Sequence, residues 1–341
     1  MDNKNRVLVA LSGGVDSSAA AILLQKADYL CDGATLHLCG ETDLSAAENV
    51  AKQLHMNFFV FNEVARFDAE VLTPFTQAYC TGLTPNPCIF CNKSLKFGAF
   101  LDRALSMGYN SVATGHYVRT RTTEQGIQLL RGLDRQKDQS YFLYQLTQFQ
   151  LQHLLFPLGD YEKPAIRNLA RQIGLKNAER NDSQDICFIP DGNYVDFLKK
   201  RGITLVSGNF IDENGTVLGR HQGLPCYTIG QGKGLGIALG KHVYVLEKNA
   251  ENNTITLGDN AALFRTDLTA RNVNWITQAP TAPFSCTGKT RYSQREDPCT
   301  VTPLPNGRMQ VVFHTPQRAI TPGQAVVLYD GDVVLGGGTI E

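Results

Sequence analysis

The chain has 341 residues, 43% hydrophobic and 19% charged, with 32 basic and 32 acidic side chains balancing to a formal charge of zero. That length calls for two or three domains with real cores and argues against large disordered tracts. The neutral total excludes a uniformly basic nucleic-acid binder, so any such surface must be a local patch.

Val7 to Leu11 is continuously apolar and partly β-branched, which predicts a buried parallel strand. It stops at Ser12-Gly13-Gly14-Val15-Asp16-Ser17, where the glycines permit torsions that turn consecutive N–H groups inward as an anion-binding nest. Asp16, Ser17 or Ser18 is expected to open a helix through Ala19–Lys26, whose positive dipole end faces the same anion. No Gly-Lys-Ser/Thr follows, so this is not the commoner phosphate loop. Strands are predicted at Gly33–Leu38, Phe58–Phe61 and Val112–Thr114, and helices at Leu44–Leu54 and Val64–Tyr79. The alternation implies a parallel sheet with helices on both faces and ligands at the carboxyl ends of its strands. Further helices are expected at Tyr141–Leu155 and Lys163–Ile173.

Beyond residue 200 the texture changes to short β-like runs punctuated by Asp212-Glu213-Asn214-Gly215, Asn252-Asn253, Pro305-Asn306-Gly307, Pro322-Gly323 and Asp330-Gly331. Such punctuation predicts small antiparallel sheets or a barrel. The expected fold is therefore an α/β catalytic domain over 1–202, a small β-rich domain over 203–262 and a C-terminal β-barrel over 263–341. No apolar run approaches the roughly 20 residues of a membrane span, and the polar start carries no secretion pattern. A cytoplasmic location with no membrane partner is expected, where the nine cysteines stay reduced and are more often catalytic or metal-binding than structural.

Two cysteine segments carry the remaining chemistry. In Thr84-Pro85-Asn86-Pro87-Cys88-Ile89-Phe90-Cys91-Asn92-Lys93, prolines stiffen the entry to a Cys-x-x-Cys pair followed by Lys93 and Lys96. A thiolate near cations or a helix start has a lowered pKa and is a better nucleophile or ligand. Half a structural zinc site is the other reading, but no second Cys-x-x-Cys or spaced His pair completes it. Cys187, in Asp182-Ser183-Gln184-Asp185-Ile186-Cys187-Phe188-Ile189, reads alone as readily as a buried small residue.

SGGVDS resembles the loop of the ATP pyrophosphatases, which cleave ATP between its α and β phosphates. Taken with TPNPCIFCNKSLKF (84–97), ATGHY (113–117), KDQSYFL (137–143), SQDICFI (183–189), YTIGQGKGLGI (227–237), TRYSQ (290–294) and ITPGQAVVLYDGDVVLGGG (320–338), the chain resembles the tRNA-specific 2-thiouridylase family nearly throughout. That resemblance implies 2-thiolation of the wobble uridine in tRNAs for Lys, Glu and Gln. ATP with Mg2+ would sit on Ala10, Leu11, Ser12, Gly13, Gly14, Val15, Asp16 and Ser17, with Leu36 and Gly115 at adenosine-contact positions. Cys91 would be the nucleophile and Cys187 the carrier of a persulfide supplied by a sulfur-relay or cysteine desulfurase protein, leaving a Cys91–Cys187 disulfide to be reduced. Asn86, Pro87 and Cys88 match the target-base contact, and His116, Lys137, Asp138, Gln139, Arg291, Tyr292 and Gln324 match tRNA contacts. His116 reads equally as a core histidine, and Arg291 with Tyr292 suits phosphate binding and base stacking.

The chain departs from that pattern at three places. Cys88 stands where many relatives have Asp, creating a Cys88, Cys91 and Cys187 set able in principle to hold a [4Fe-4S] cluster with one open iron. Gly232 stands where relatives commonly have Arg, inside a GQGKGLG run that lacks the helix of a nucleotide loop and is expected to be a flexible hairpin. The segment before Leu44 is short. A nitrogen-transferring ATP pyrophosphatase ligase shares the loop but gives Cys91 and Cys187 no task, and a tRNA-binding protein without turnover explains neither.

Overall fold

The computed structural model describes residues 5–40, 44–175 and 186–341. The acidic run Asp182–Asp185 before Cys187 and part of the short segment before Leu44 lie outside them.

The chain opens with β1 (Arg6–Ala10), α1 (Val15–Lys26), β2 (Leu30–His37), α2 (Ser45–Gln53) and β3 (Phe58–Asn62). Helical structure then runs through α3 (Val64–Phe67), a π-helical stretch Asp68–Leu72, α4 (Thr73–Cys80), α5 (Pro87–Cys91), a second π-helical stretch Asn92–Ala99, and α6 (Phe100–Ser106). The predicted Val64–Tyr79 helix is thus interrupted. Pro74 has no N–H to donate one turn back, and the widened π register absorbs the missing bond.

Next come β4 (Ser111–Ala113), β5 (Val118–Thr123), β6 (Gly126–Arg131), α7 (Gln148–Gln152), β7 (Leu154–Leu155), α8 (Lys163–Gln172) and α9 (Tyr194–Lys200). The helix expected over Tyr141–Leu155 is not one element. A 3-10 turn, Ser140–Leu143, precedes it, Thr147 and Gln150 form a capping box that starts α7 afresh, and Leu154–Leu155 pairs with β4 as an edge strand.

Strands β3, β2, β1, β4 and β7 form a parallel sheet in that order. Alternation along β1 sends Val7 and Val9 to a core with Ala21, Ile22, Val50 and Ala51 of α1 and α2, and Leu8 to the opposite face. On that face Leu8 shares one continuous core with Phe100 and Leu101 of α6.

A four-stranded sheet follows, from β8 (Gly208–Ile211), β9 (Val217–His221), β10 (Tyr244–Asn249) and β11 (Thr254–Gly258). It is not wholly antiparallel as expected, because β11 pairs parallel with β8. GQGKGLG is irregular backbone with bends rather than a hairpin, and a Cβ at Gly232 would lie 2.6 Å from the Tyr244 ring.

The last sheet comprises β12 (Phe264–Trp275), β13 (Phe284–Lys289), β14 (Asp297–Leu304), β15 (Arg308–Arg318), β16 (Ala325–Asp330) and β17 (Val333–Ile340). It closes on itself because β12 pairs with both β15 and β17, bending at a bulge that contains Asn272 at φ +53°. The β5–β6 hairpin joins this sheet through Leu130 opposite Val333. Val118 and Leu129 of that hairpin enter one core with Val327, Tyr329 and Leu8, which ties the barrel to the parallel sheet.

Candidate functional site

The phosphate-type loop leaves β1 at the carboxyl edge of the sheet. Only Gly13 takes a left-handed torsion, at φ +74°, while Gly14 is extended at φ −86°. A Cβ on Gly13 would lie 2.7 Å from the Ala46 Cβ and 2.9 Å from the Ala47 nitrogen, so the first turn of α2 rests on the loop. The helix opens at Val15 without a side-chain cap, contrary to the expectation for Asp16, Ser17 or Ser18. Instead the Ser17 and Ser18 hydroxyls donate back to the Gly14 carbonyl at 3.1 and 2.9 Å, and the Ser12 N–H donates to Ser17 Oγ at 3.2 Å. These bonds hold the loop rigid before any ligand arrives.

Asp16 is engaged by residues with no earlier flag. Its Oδ1 accepts from the Tyr117 hydroxyl at 2.8 Å, and Lys163 Nζ donates to both its oxygens at 2.8 Å. Lys163 is 6% exposed at the start of α8, where no motif marks it. Tyr117 closes the ATGHY run, so only its neighbourhood was visible in the sequence. Gly115 lies directly under the loop: a Cβ there would sit 2.8 Å from the Asp16 carbonyl carbon and the Ser17 nitrogen.

Leu36, near the carboxyl end of β2, links this edge to the cysteines. It packs against the cluster of Phe67, Val71, Leu72, Cys91 and Leu95, which Phe188 also joins. Phe188 further meets Phe67 and Phe75 edge-on, at ring separations of 5.7 and 5.4 Å. Cys91 and the segment bearing Cys187 are therefore brought to one place despite their separation in sequence.

Asn86 caps α5 by accepting from the Cys88 N–H at 3.1 Å, and Pro87 takes the first helical position. Cys91 is buried, whereas Cys88 and Cys187 reach the surface. The lowered thiol pKa expected near Lys93 and Lys96 is not what the surroundings produce. Burial on their inner sides raises all three thiols, Lys96 offsets this only in part, and Cys187 reaches about 11 under burial with Cys91 and Cys88 adding to it. Among the described residues no three His, Cys, Asp or Glu side chains converge to hold a metal.

The residues matched to tRNA contacts fall into two groups. His116 is buried, its ring 5.6 Å from Phe97 and 6.5 Å from Phe156, and its Nδ1 is 2.8 Å from Thr114 Oγ1. Burial pushes its pKa well down, so it is neutral. Asp138 accepts from the Gly132 and Ser140 N–H groups and the Ser140 hydroxyl, and Gln139 Oε1 accepts from the Tyr117 N–H. Arg291 donates to the carbonyls of Ile229 and Ala319, clamping the middle domain to the barrel. Gln324 Nε2 donates to the Thr84 carbonyl at 2.7 Å, docking the Pro-rich loop on the barrel.

Facing solvent are Tyr292, 37% exposed with its ring 4.5 Å from Phe142, and Lys137. Lys137 lines a groove of about 310 Å3 with Asp134, Lys163, Arg167 and Arg171, beside Asp16. A larger groove of about 680 Å3 at Gly232–Val243 contains neither the loop nor the cysteines.

Family models match in three consecutive stretches: a tRNA methyl transferase HUP domain over 5–191, a tRNA methyl transferase PRC-barrel domain over 195–259 and an aminomethyltransferase beta-barrel domain over 265–340. Proteins named tRNA-specific 2-thiouridylase MnmA are similar along their whole length. The one from Carboxydothermus hydrogenoformans is 45% identical, covering 99% of this chain and 98% of the relative. That from Clostridium beijerinckii is 44% identical over 99% of both chains, and that from Magnetococcus marinus 45% over 100% of both. On identity and coverage of this order, the chain belongs to the tRNA-specific 2-thiouridylase family.

Proposed function

We propose that this protein carries out ATP-dependent 2-thiolation of the wobble uridine of tRNA, of the Lys, Glu and Gln type. The observation that supports it best is the meeting of Cys91 and the Cys187 segment against Leu36, at the strand edge from which the Ser12–Ser17 loop emerges. Methyl transfer, the activity in two of the family-model descriptions, gives that pairing no task.

The loop receives the ATP phosphates on its N–H groups and the start of α1. Mg2+, when bound with the nucleotide, would neutralise phosphate charge, and Asp16, the loop's carboxylate oriented by its ion pair with Lys163, would be the residue to hold it. Uracil O2 attacks the α-phosphorus, pyrophosphate leaves, and the N3 proton is released. A poor leaving oxygen thereby becomes part of a good one, AMP.

The terminal sulfur of a Cys187 persulfide attacks C2, and AMP departs with the old O2. Cys91 thiolate then cleaves the S–S bond, leaving sulfur on C2, restoring the N3 proton from solvent and forming a Cys91–Cys187 disulfide. An external dithiol must reduce it. A persulfide is more acidic than a thiol, which matters because burial holds the Cys187 thiol at about 11. No step is assigned to an iron–sulfur cluster.

The test incubates the protein with ATP, Mg2+, unmodified tRNA and a persulfide or sulfide donor, then analyses the nucleosides by mass spectrometry. One uridine should exchange oxygen for sulfur, with loss in Cys91→Ser and Asp16→Ala. Pyrophosphate release should survive in Cys91→Ser, because adenylation precedes sulfur transfer. Full thiolation by Cys91→Ser would remove that residue from the mechanism.

A further inference from the structure

Asn92 has a buried acceptor that nothing among the described residues uses. The residue is 4% exposed, its Oδ1 is closed to solvent, and no donor of the described residues reaches it. Its Nδ2 donates to the Phe142 carbonyl at 3.4 Å, a long bond. That contact fixes which end of the amide is which, since a carbonyl can only accept. An unsatisfied buried acceptor is costly, and native proteins leave few of them without a reason.

The position of this acceptor suggests its partner. The Asn92 N–H donates to the Cys88 carbonyl, so Asn92 stands one helical turn beyond Cys88 and next to Cys91. Across from it, Phe142 carries the ring that lies 4.5 Å from that of exposed Tyr292, tilted by 40°. Thr84 Oγ1, just before Asn86 and Pro87, is a second buried polar atom without a partner among the described residues.

We propose that Asn92 Oδ1 accepts the N3–H of the target uracil and so selects uridine over cytidine. This rests on the thiolation reading and adds to it the means of base selection. N3 is bonded directly to C2, so while O2 attacks the α-phosphorus a grip on N3–H holds that carbon beside the cysteine helix. Attack through O2 makes N3–H more acidic, and the hydrogen bond strengthens as attack proceeds, which favours the transition state over the ground state. Cytosine presents a lone pair at N3, which would face the lone pairs of Oδ1. A pocket built around a substrate N–H rejects an analogue lacking it far better than a hydrophobic pocket rejects a change of size. The long Nδ2 bond lets the amide turn toward an arriving base at little cost.

The test compares full-length tRNA carrying uridine or cytidine at the wobble position, reading ATP-dependent pyrophosphate release as kcat/KM. Asn92→Ala should lower the uridine-to-cytidine ratio at least about tenfold, the worth of one good hydrogen bond, by losing rate on uridine alone. Asn92→Asp keeps the acceptor and removes the donor to Phe142, so it should retain the uridine preference. Equal losses of Asn92→Ala on both tRNAs, or loss of preference in Asn92→Asp, would assign Asn92 a structural role and overturn the inference. If Asn92→Ala does not fold, the Asn92→Asp ratio decides. Absence of pyrophosphate release by the unaltered protein on either tRNA would instead sink the thiolation reading, and this inference with it.

Discussion

Replacing Gly115 by alanine adds a single methyl group, and the structure says where it goes. The new carbon would lie 2.8 Å from the Asp16 carbonyl carbon, 2.8 Å from the Ser17 nitrogen and 2.9 Å from the Asp16 Cβ. Ordinary contact between such atoms is about 3.5–4.0 Å, so one side must retreat by roughly 0.6 Å or more. Two of the three atoms are main chain of the phosphate loop, which cannot swing aside as a flexible side-chain end would. Overpacking of this kind costs about 1–3 kcal/mol in stability. The same displacement carries loop N–H groups out of the roughly 2.7–3.2 Å range in which they bond a phosphate oxygen. Loss of one such bond to a charged oxygen, about 1.5–3 kcal/mol, weakens ATP binding about 10- to 150-fold. Calorimetric titration with ATP, alongside Tm, measures both effects. Gly14→Ala is the control: Gly14 is extended and its added Cβ would meet nothing closer than Ser12 Oγ at 3.4 Å, so its nucleotide-free Tm should hold. A Gly115→Ala protein with unchanged ATP affinity and unchanged Tm would refute the reasoning.

Three other outcomes follow from the environment of particular groups. With the Cys187 thiol at about 11, its alkylation by iodoacetamide in the resting protein should climb about tenfold per pH unit from 7 to 10, and a plateau below pH 9 would contradict its desolvation. His116 is held neutral in the folded state, whereas the unfolded chain binds a proton below about pH 6.5. Its contribution is complete above that pH and lost as the pH falls toward its depressed folded value, at up to about 1.4 kcal/mol per unit. Denaturant titrations at pH 7 and 5 should show this slope, and His116→Gln should flatten it. Cys286 and Cys299 face each other directly across β13 and β14 with sulfurs 3.7 Å apart. Oxidised glutathione should take two electrons from this pair and leave a disulfide, detectable as a cross-linked peptide; its absence under conditions that oxidise other thiols would show that the strand geometry forbids the bond.

The first four strands of the parallel sheet were legible from short runs such as Val7–Val9 and Phe58–Phe61, although β2 mixes in Asp32, Thr35 and His37, whereas the Leu154–Leu155 edge strand lay inside an expected helix. Helix continuity was not legible where a local residue overrides periodicity. Pro74 changes the register within Val64–Tyr79, and the Thr147–Gln150 capping box divides what reads as one helix over Tyr141–Leu155. The union of the barrel with the first domain through β5 and β6 was invisible for a different reason. The pairing partner of a hairpin lies about 200 residues later, and alternation in Val118–Arg131 says that one face is covered without saying by what.

The site divides along the same line. Chemistry that is local could be read, as in the left-handed torsion of Gly13. Lys163 could not, because its significance is a single ion pair to Asp16 formed across 147 positions of sequence. Asp138, Gln139 and Gln324, which the resemblance matches to tRNA contacts, hydrogen-bond within the protein: Gln139 and Gln324 to main-chain groups, Asp138 to the Gly132 and Ser140 N–H groups and the Ser140 hydroxyl. Those bonds still serve the site, because Gln324 fixes the loop that delivers Asn86 to Cys88, and Gln139 holds the main chain of the Tyr117 that grips Asp16. A polar residue beside a binding loop is thus as readily the loop's scaffold as the ligand's partner. What separates the two is whether its donors and acceptors are already spent, and on that criterion Asn92, with its acceptor unclaimed among the described residues, falls on the ligand's side.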